Sequence, residues 1–169
     1  MSVRYAKRED LRETAKINVD GWRAAYKGII SDDFLDSLDY EVVRERAEAR
    51  FGNGLFFVYE NKAGEILGFC WCGERNDVTD EGFSEYDCEL YALYVRPDCI
   101  RQGVGKELFC SAASELKANG SSKMILWCLK DNAPAIEFYI KMGGTLLGTK
   151  EHTIGGEIYN ESGFGYELC

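Results

Sequence analysis

The sequence has one histidine, His152, and no Cys-x-x-Cys pair among its seven cysteines, so a Cys/His zinc site has little to build on and no metal is expected. The cysteine count is odd, and Cys70, Cys72, Cys88, Cys99, Cys110, Cys128 and Cys169 are spread through segments patterned as core strands and helices. They read as buried or half-buried free thiols in a reducing compartment. Cys70 and Cys72 lie two apart on a strand, so they share a face rather than bond to each other. No Pro/Gly-rich linker, internal repeat or low-complexity tract interrupts the chain, and 169 residues suit one domain, expected to span 1–169. No apolar run approaches the roughly 20 residues of a membrane span, and Met1–Asp10 is charged where a signal peptide needs an apolar core. A cytoplasmic chain without membrane contact is the expectation. Positive charge is short as well: 20 Lys and Arg against 29 Asp and Glu leave a net charge of −9. That balance excludes a broad phosphate-backbone footprint, hence nucleic acid as main partner, and favours cationic small molecules.

What is present is an alternation of periods. Val3–Ala6 reads as a short strand, and from Leu11 the apolar residues keep helical spacing up to Gly28. Ser31-Asp32-Asp33 offers N-cap chemistry for a second helical stretch, and Tyr40–Phe51, with six charged residues, reads as an exposed helix stopped by Gly52-Asn53-Gly54. Leu55–Tyr59 and Ile66–Cys72 form a hairpin about a turn at Asn61–Gly64. Asn76–Asp87 is a loop rich in acids (Asp77, Asp80, Glu81, Glu85, Asp87), and Glu89–Val95 is an apolar strand closed by Arg96-Pro97-Asp98. A helix from Lys106 to Asn119 ends at Gly120, Met124–Leu129 is another strand, and Asp131-Asn132 cap a helix running to Met142. Two final strands, Leu146–His152 and Tyr159–Leu168, flank Gly155-Gly156. The fold class is α/β.

One connection has a chemical meaning of its own. Ile100-Arg101-Gln102-Gly103-Val104-Gly105 joins a strand directly to a helix. The first N–H groups of a helix lack internal partners and face outward with the positive end of the dipole, and glycines let a pyrophosphate approach them. A plain strand–helix turn needing glycine for its dihedral angles explains the same residues. A Walker A loop is excluded, because Gly105-Lys106 is followed by Glu107, and a dinucleotide fingerprint is excluded by Leu108 and by Lys123 where an acid belongs.

Read together, Glu89-Leu90-Tyr91-Ala92-Leu93-Tyr94-Val95-Arg96-Pro97, the Gly103-Val104-Gly105 turn, and Asn132-Ala133-Pro134-Ala135-Ile136-Glu137-Phe138-Tyr139 with Gly143-Gly144 resemble the GNAT superfamily of acetyl-CoA-dependent N-acetyltransferases. The resemblance implies a GNAT fold: a mixed, mostly antiparallel central sheet of about six to seven strands with helices on both faces. It implies acetyl-CoA as cosubstrate, with the pyrophosphate on the backbone of Arg101, Gln102, Gly103, Val104, Gly105 and Lys106. Ile100 departs from the family pattern, which has Gln or Arg there. The pantetheine arm is expected along the backbone of Leu93, Tyr94 and Val95, whose side chains remain core, and against Asn132, which is equally suited to N-cap its helix.

By the same resemblance Tyr139 is the general acid that protonates the departing thiolate, although its spacing with Ala135, Phe138 and Met142 is also that of a core residue. Glu89 is the base that deprotonates the acceptor amine, directly or through water; a solvated strand-end carboxylate is the plain alternative. Trp22, Arg23 and Tyr26 lie where the family covers the acceptor, and the terminal hairpin about Gly155-Gly156 lies near the acceptor or a second copy of the chain in a homodimer. The implied activity is direct transfer of acetyl to a primary amine, expected to belong to a cationic small molecule because the acidic loop precedes Glu89. A protein or peptide N-terminus or lysine acceptor, and a non-catalytic acyl-CoA-binding module, are the alternatives.

Overall fold

The computed structural model describes residues 2–75 and 81–168. Seven strands form one sheet in the order β1-β2-β3-β4-β5-β7-β6. They are β1 Ser2–Tyr5, β2 Leu55–Glu60, β3 Ile66–Glu74, β4 Cys88–Val95, β5 Lys123–Leu129, β6 Thr145–Ile154 and β7 Glu157–Glu167. The helices are α1 Leu11–Ala25, α2 Asp32–Ser37, α3 Tyr40–Arg50, α4 Val104–Ala118 and α5 Ala133–Lys141. β4 and β5 run parallel, whereas the β1–β2, β2–β3, β5–β7 and β6–β7 pairs are antiparallel, so the sheet is mixed as expected. No helix among the described residues is long and apolar enough to cross a membrane. Contacts divide the chain into two units, Met1–Cys72 with Ala92–Ala112, and Gly73–Tyr91 with Ala113–Cys169.

In the first unit one core cluster is Ile17, Val58, Ile66 and Phe69, with Phe56, Ala92 and Tyr94 packed against it. The helical spacing of Leu11, Ala15 and Val19 puts these three on the buried stripe of α1. Gly21 brings that helix close to β4, since a Cβ there would stand 3.1 Å from the Tyr94 ring. Ser31 makes no side-chain capping bond to α2, contrary to the sequence expectation. α3 is capped by Asp39, which accepts from the N–H groups of Glu41 and Val42. α3 buries no residue fully but packs against α1, and Arg44 pairs with Glu41 and Glu48 along its exposed side.

A buried carboxylate ties the start of this unit. Asp10 accepts from Arg4 Nη1 and Nη2 at 2.7 and 3.0 Å and from the Lys7 N–H at 2.7 Å. Burial pushes its carboxyl up, but the Arg4 and Lys7 hydrogen bonds and charges outweigh this and hold it below the ordinary 3.8. A group depressed in the folded state adds stability above its unfolded value and loses it as pH falls through the folded one. The parent should therefore lose urea resistance below pH 3.8 more steeply than Asp10→Asn does. Parallel losses in the two proteins would remove Asp10 from the account.

In the second unit β5 and β7 pair over seven residues, Lys123 with Glu167 through Leu129 with Glu161. Phe164, fully buried, faces α5, whereas Gly163 and Gly165 on the opposite face lie under the Trp127 and Tyr86 rings.

Candidate active site

The parallel ladder between β4 and β5 is short: Cys88, Glu89 and Leu90 pair with Met124, Ile125 and Leu126. Leu93, Tyr94 and Val95 lie beyond it and are half-buried, although the alternating first half of β4 shows this strand can bury a face completely. β4 then leads through a turn of 3-10 helix at Pro97–Cys99, with Arg96 paired to Asp98, into Ile100, which is 58% exposed.

The turn that follows has two left-handed residues, Arg101 at φ 62° and Gly103 at φ 88°, before α4 begins at Val104. Arg101 is the one non-glycine residue with positive φ among the described residues, a conformation usually kept only where the surroundings enforce it. Left-handed residues alternating with extended or helical ones turn successive N–H groups to one side, a concavity suited to anions. The first backbone bond closing α4 runs from the Glu107 N–H to Gly103 at 3.0 Å, so the N–H groups of Val104, Gly105 and Lys106 precede the helical ladder. A Cβ on Gly103 would meet nothing within 4 Å, so the space on that side of Gly103 is open. Gln102 is partly committed, its amide donating to the Asp98 carbonyl at 3.2 Å. Arg101 and Lys106 are exposed beside these donors. The residues present fit a diphosphate.

The turn is held from behind by Val104, buried at the first position of α4, and by Gly68 on β3. A Cβ on Gly68 would lie 3.0 Å from Val104 and Leu108 side-chain atoms and 2.9 Å from the Tyr94 carbonyl. Gly68 carries no local signal in the sequence, because its role is a contact with residues 26 to 40 positions away.

On α1, Trp22 packs edge-on against Tyr26 at 4.9 Å and near Phe34 at 6.2 Å, an aromatic group with half-buried rings. Arg23 has a job in the fold: its guanidinium donates to the Leu35 and Leu38 carbonyls at the end of α2 and lies over the Tyr40 ring.

The second unit holds the remaining candidates. Glu89 is half-buried on β4, opposite Ile125. Asn132 is buried and caps α5, its side-chain oxygen accepting from the Ala135 N–H at 3.3 Å. The cap uses the carbonyl of the carboxamide, so the NH2 group is the part available to a ligand. Tyr139 is 9% exposed, its ring 6.0 Å from Phe164 and 5.3 Å from Phe138. Its backbone carbonyl accepts from the Tyr166 hydroxyl at 2.9 Å and from the Gly144 N–H at 3.0 Å. A Cβ on Gly144 would collide with the Tyr166 phenol, so this glycine, legible from the sequence only as a helix stop, lets the end of α5 dock on β7. Tyr166 carries no signal of this supporting role in the sequence; burial, and to a lesser degree Cys128, push its phenol well above the ordinary value.

Two acids of the loop that the sequence links to a cationic acceptor, Glu85 and Asp87, are engaged within the fold. Asp77 and Asp80 lie outside the described residues, as does the side chain of Glu81. Glu85 pairs with Lys123. Asp87 accepts from Ser122 N, Ser122 Oγ and Lys123 N, and although burial pushes its carboxyl up, these bonds hold it below the ordinary value. Both acids are thus tied to the start of β5, because strand-initial amides and a lysine there supply donors. Burial pushes the Cys88 and Cys128 thiols up to about 12 and Cys70 well above its ordinary value, which disfavours the thiolate a nucleophile needs.

Set against known sequences, residues 19–143 match the profile of the Acetyltransferase (GNAT) family. The chain belongs to the GNAT family. As such it is an acetyl-CoA-dependent acyltransferase, an N-acetyltransferase by family. It is 35% identical over 166 residues to the uncharacterized N-acetyltransferase YuaI of Bacillus subtilis, covering 98% of this chain and 92% of that one. It is 26% identical to a spermidine N(1)-acetyltransferase of Thermoplasma acidophilum over 85% of this chain and 87% of that one. Among solved structures it resembles the PaiA N-acetyltransferase of Thermoplasma acidophilum in complex with coenzyme A, with a TM-score of 0.68, 21% identity, and coverage of 95% and 96%. The seven-stranded mixed sheet is the GNAT fold.

Proposed function

We propose that the chain is one catalytic domain that transfers the acetyl group of acetyl-CoA directly to a primary amine of a cationic small molecule, in a ternary complex. The GNAT profile matched over 19–143 draws on both contact units, which supports one domain. The observation that carries the cosubstrate reading is the turn at Arg101–Lys106, with two left-handed residues, three N–H groups that precede the helical ladder, and open space where a Gly103 Cβ would stand. The cationic acceptor is supported by the net charge of −9 and by the likeness to a spermidine acetyltransferase.

When bound, acetyl-CoA supplies an activated acyl carbon as a thioester. The chain's own groups do the rest. Backbone groups of Leu93, Tyr94 and Val95 hold the pantetheine arm as an added strand would, and the Asn132 NH2 donates to it. The N–H groups from Arg101 to Lys106 hold the pyrophosphate. Trp22, Tyr26 and, beside them, Arg23 cover the acceptor. An amine is protonated at neutral pH, so the Glu89 carboxylate, directly or through a water, takes the proton that frees the nitrogen lone pair. The C–N bond forms as the C–S bond breaks, and the Tyr139 hydroxyl gives its proton to the sulfur. Nitrogen gives up two protons in all. The first goes to Glu89 and on to solvent before the attack. The second, released through solvent as the C–N bond forms, balances the one the Tyr139 hydroxyl gives to sulfur before it is reprotonated from solvent, with no covalent enzyme intermediate.

Free CoA release over a panel of amines tests this reading. A polyamine should be used with higher kcat/KM than a neutral amine or a peptide N-terminus; preference for the peptide would replace the acceptor class with a protein. For Glu89, the acidic limb of the kcat/KM profile should vanish in Glu89→Gln, with a rate loss of roughly 10²-fold. A Glu89→Gln enzyme with the parent rate and profile would make Glu89 a structural strand-end residue.

A further inference from the structure

Trp127 is a residue to which the mechanism gives no role, and its surroundings are specific. It is half-buried on β5, opposite Gly163 of β7. A Cβ on Gly163 would lie 2.7 Å from Cζ3 and 2.9 Å from Cη2 of the indole, so glycine there is what allows the ring to lie flat on the strand. Phe83 packs against it edge-on, centroids 5.2 Å apart at 81°. Over the ring stands the Lys150 ammonium, 4.1 Å from the centroid. Lys150 belongs to β6, the last strand of the sheet, on a four-carbon stem that can swing aside.

The register places this arrangement beside the proposed base. Glu89 pairs with Ile125, Ile125 with Gly165, and Trp127 with Gly163, so all five residues share one face of the sheet. Two residues along β5 and one strand across separate Trp127 from Glu89 by about 8 Å between Cα atoms. That separation is comparable to the amine-to-amine distance of a longer linear diamine or a polyamine.

Resting on the proposed function, we propose that the face of Trp127 is the seat for the second, non-reacting ammonium of the acceptor, and that Lys150 is its internal occupant until the acceptor arrives. An indole face attracts cations through its quadrupole, and this one already holds an ammonium in that geometry. The acceptor's ammonium takes the place of Lys150, which moves out to solvent, and the amine at the other end of the acceptor then reaches Glu89. Trp127 thereby sets specificity for diamines and polyamines over monoamines.

The test is the ratio of kcat/KM for a linear diamine to that for a neutral-tailed monoamine of equal length, in the parent and four variants. Trp127→Leu should lower the ratio about tenfold, whereas Trp127→Phe, which keeps an aromatic face, should lose much less. Lys150→Met should raise the ratio severalfold by vacating the seat. In the Trp127→Leu background the same Lys150→Met change should add nothing. Acetyl-CoA affinity by calorimetry should stay constant throughout, which a damaged fold would not allow. If Lys150→Met raises the ratio equally with and without Trp127, simple charge repulsion explains the effect and the seat is rejected. An unchanged ratio in Trp127→Leu also rejects it. A parent that acetylates monoamines as well as diamines rejects this inference alone, whereas a parent that acetylates no amine removes the proposed function and this inference with it.

Discussion

Tyr139→Phe should lower kcat about a hundredfold while leaving acetyl-CoA affinity within about twofold. The substitution removes one oxygen and keeps the ring, whose contacts with Phe164 and Phe138 are those of a core residue. α5 is anchored independently of that oxygen, through the Tyr139 carbonyl to Tyr166 and Gly144, so the helix should remain docked. A loss confined to kcat would therefore report proton donation to the leaving sulfur. Because the donor must be protonated to act, the basic limb of the kcat profile should flatten in the variant. An undiminished kcat would reduce Tyr139 to a packing residue and leave the leaving thiolate to be protonated by solvent.

The second large effect is expected at the turn before α4. Replacing Gly103 and Gly105 by Val should weaken acetyl-CoA binding at least tenfold, about 1.4 kcal/mol. Valine at φ 88° is strained, so the turn must reshape and its N–H groups lose their common direction. Its side chain also enters the space that is open in front of Gly103. Arg101→Gly is the control. It keeps a residue at home in the left-handed region and removes one exposed charge, so its effect should stay within about threefold. Calorimetry on folded variants decides: an unchanged affinity in the double Val variant would mean the turn exists only to join β4 to α4.

Much of this architecture is legible in the sequence because strands and helices differ in period. The run of Leu55–Tyr59, Ile66–Cys72, Glu89–Val95 and Met124–Leu129 marks four strands that the structure extends by one to two residues at an end. Caps were less transparent. Ser31 has the right chemistry but makes no bond, while Asp39, unremarked in the sequence, accepts two. A cap is decided by the backbone path into the helix, which a residue type alone does not fix.

The candidate site divides along the same line. Gly103 was visible because its reason is local, a positive φ at a strand–helix joint. Gly68, Gly163 and Gly165 are not, nor is the docking role of Gly144, because each is required by a side chain distant in sequence: Val104, Trp127, Tyr86 and Tyr166 respectively. Arg23 and Asp87 look like charges for the acceptor in a linear reading, yet long-range partners, the carbonyls of α2 and the amides opening β5, engage them. Charged groups are misread most easily because their partners are set by tertiary structure.

The central claim is that this chain moves an acetyl group from acetyl-CoA onto an amine nitrogen. It is tested most directly by nuclear magnetic resonance with isotope-labelled acetyl-CoA and spermidine. The account predicts that the thioester carbonyl signal decays in proportion to enzyme, that an amide carbonyl signal replaces it on the amine, and that both changes nearly stop in Tyr139→Phe. A thioester signal that persists with every amine offered, or a label that emerges as free acetate, would contradict it.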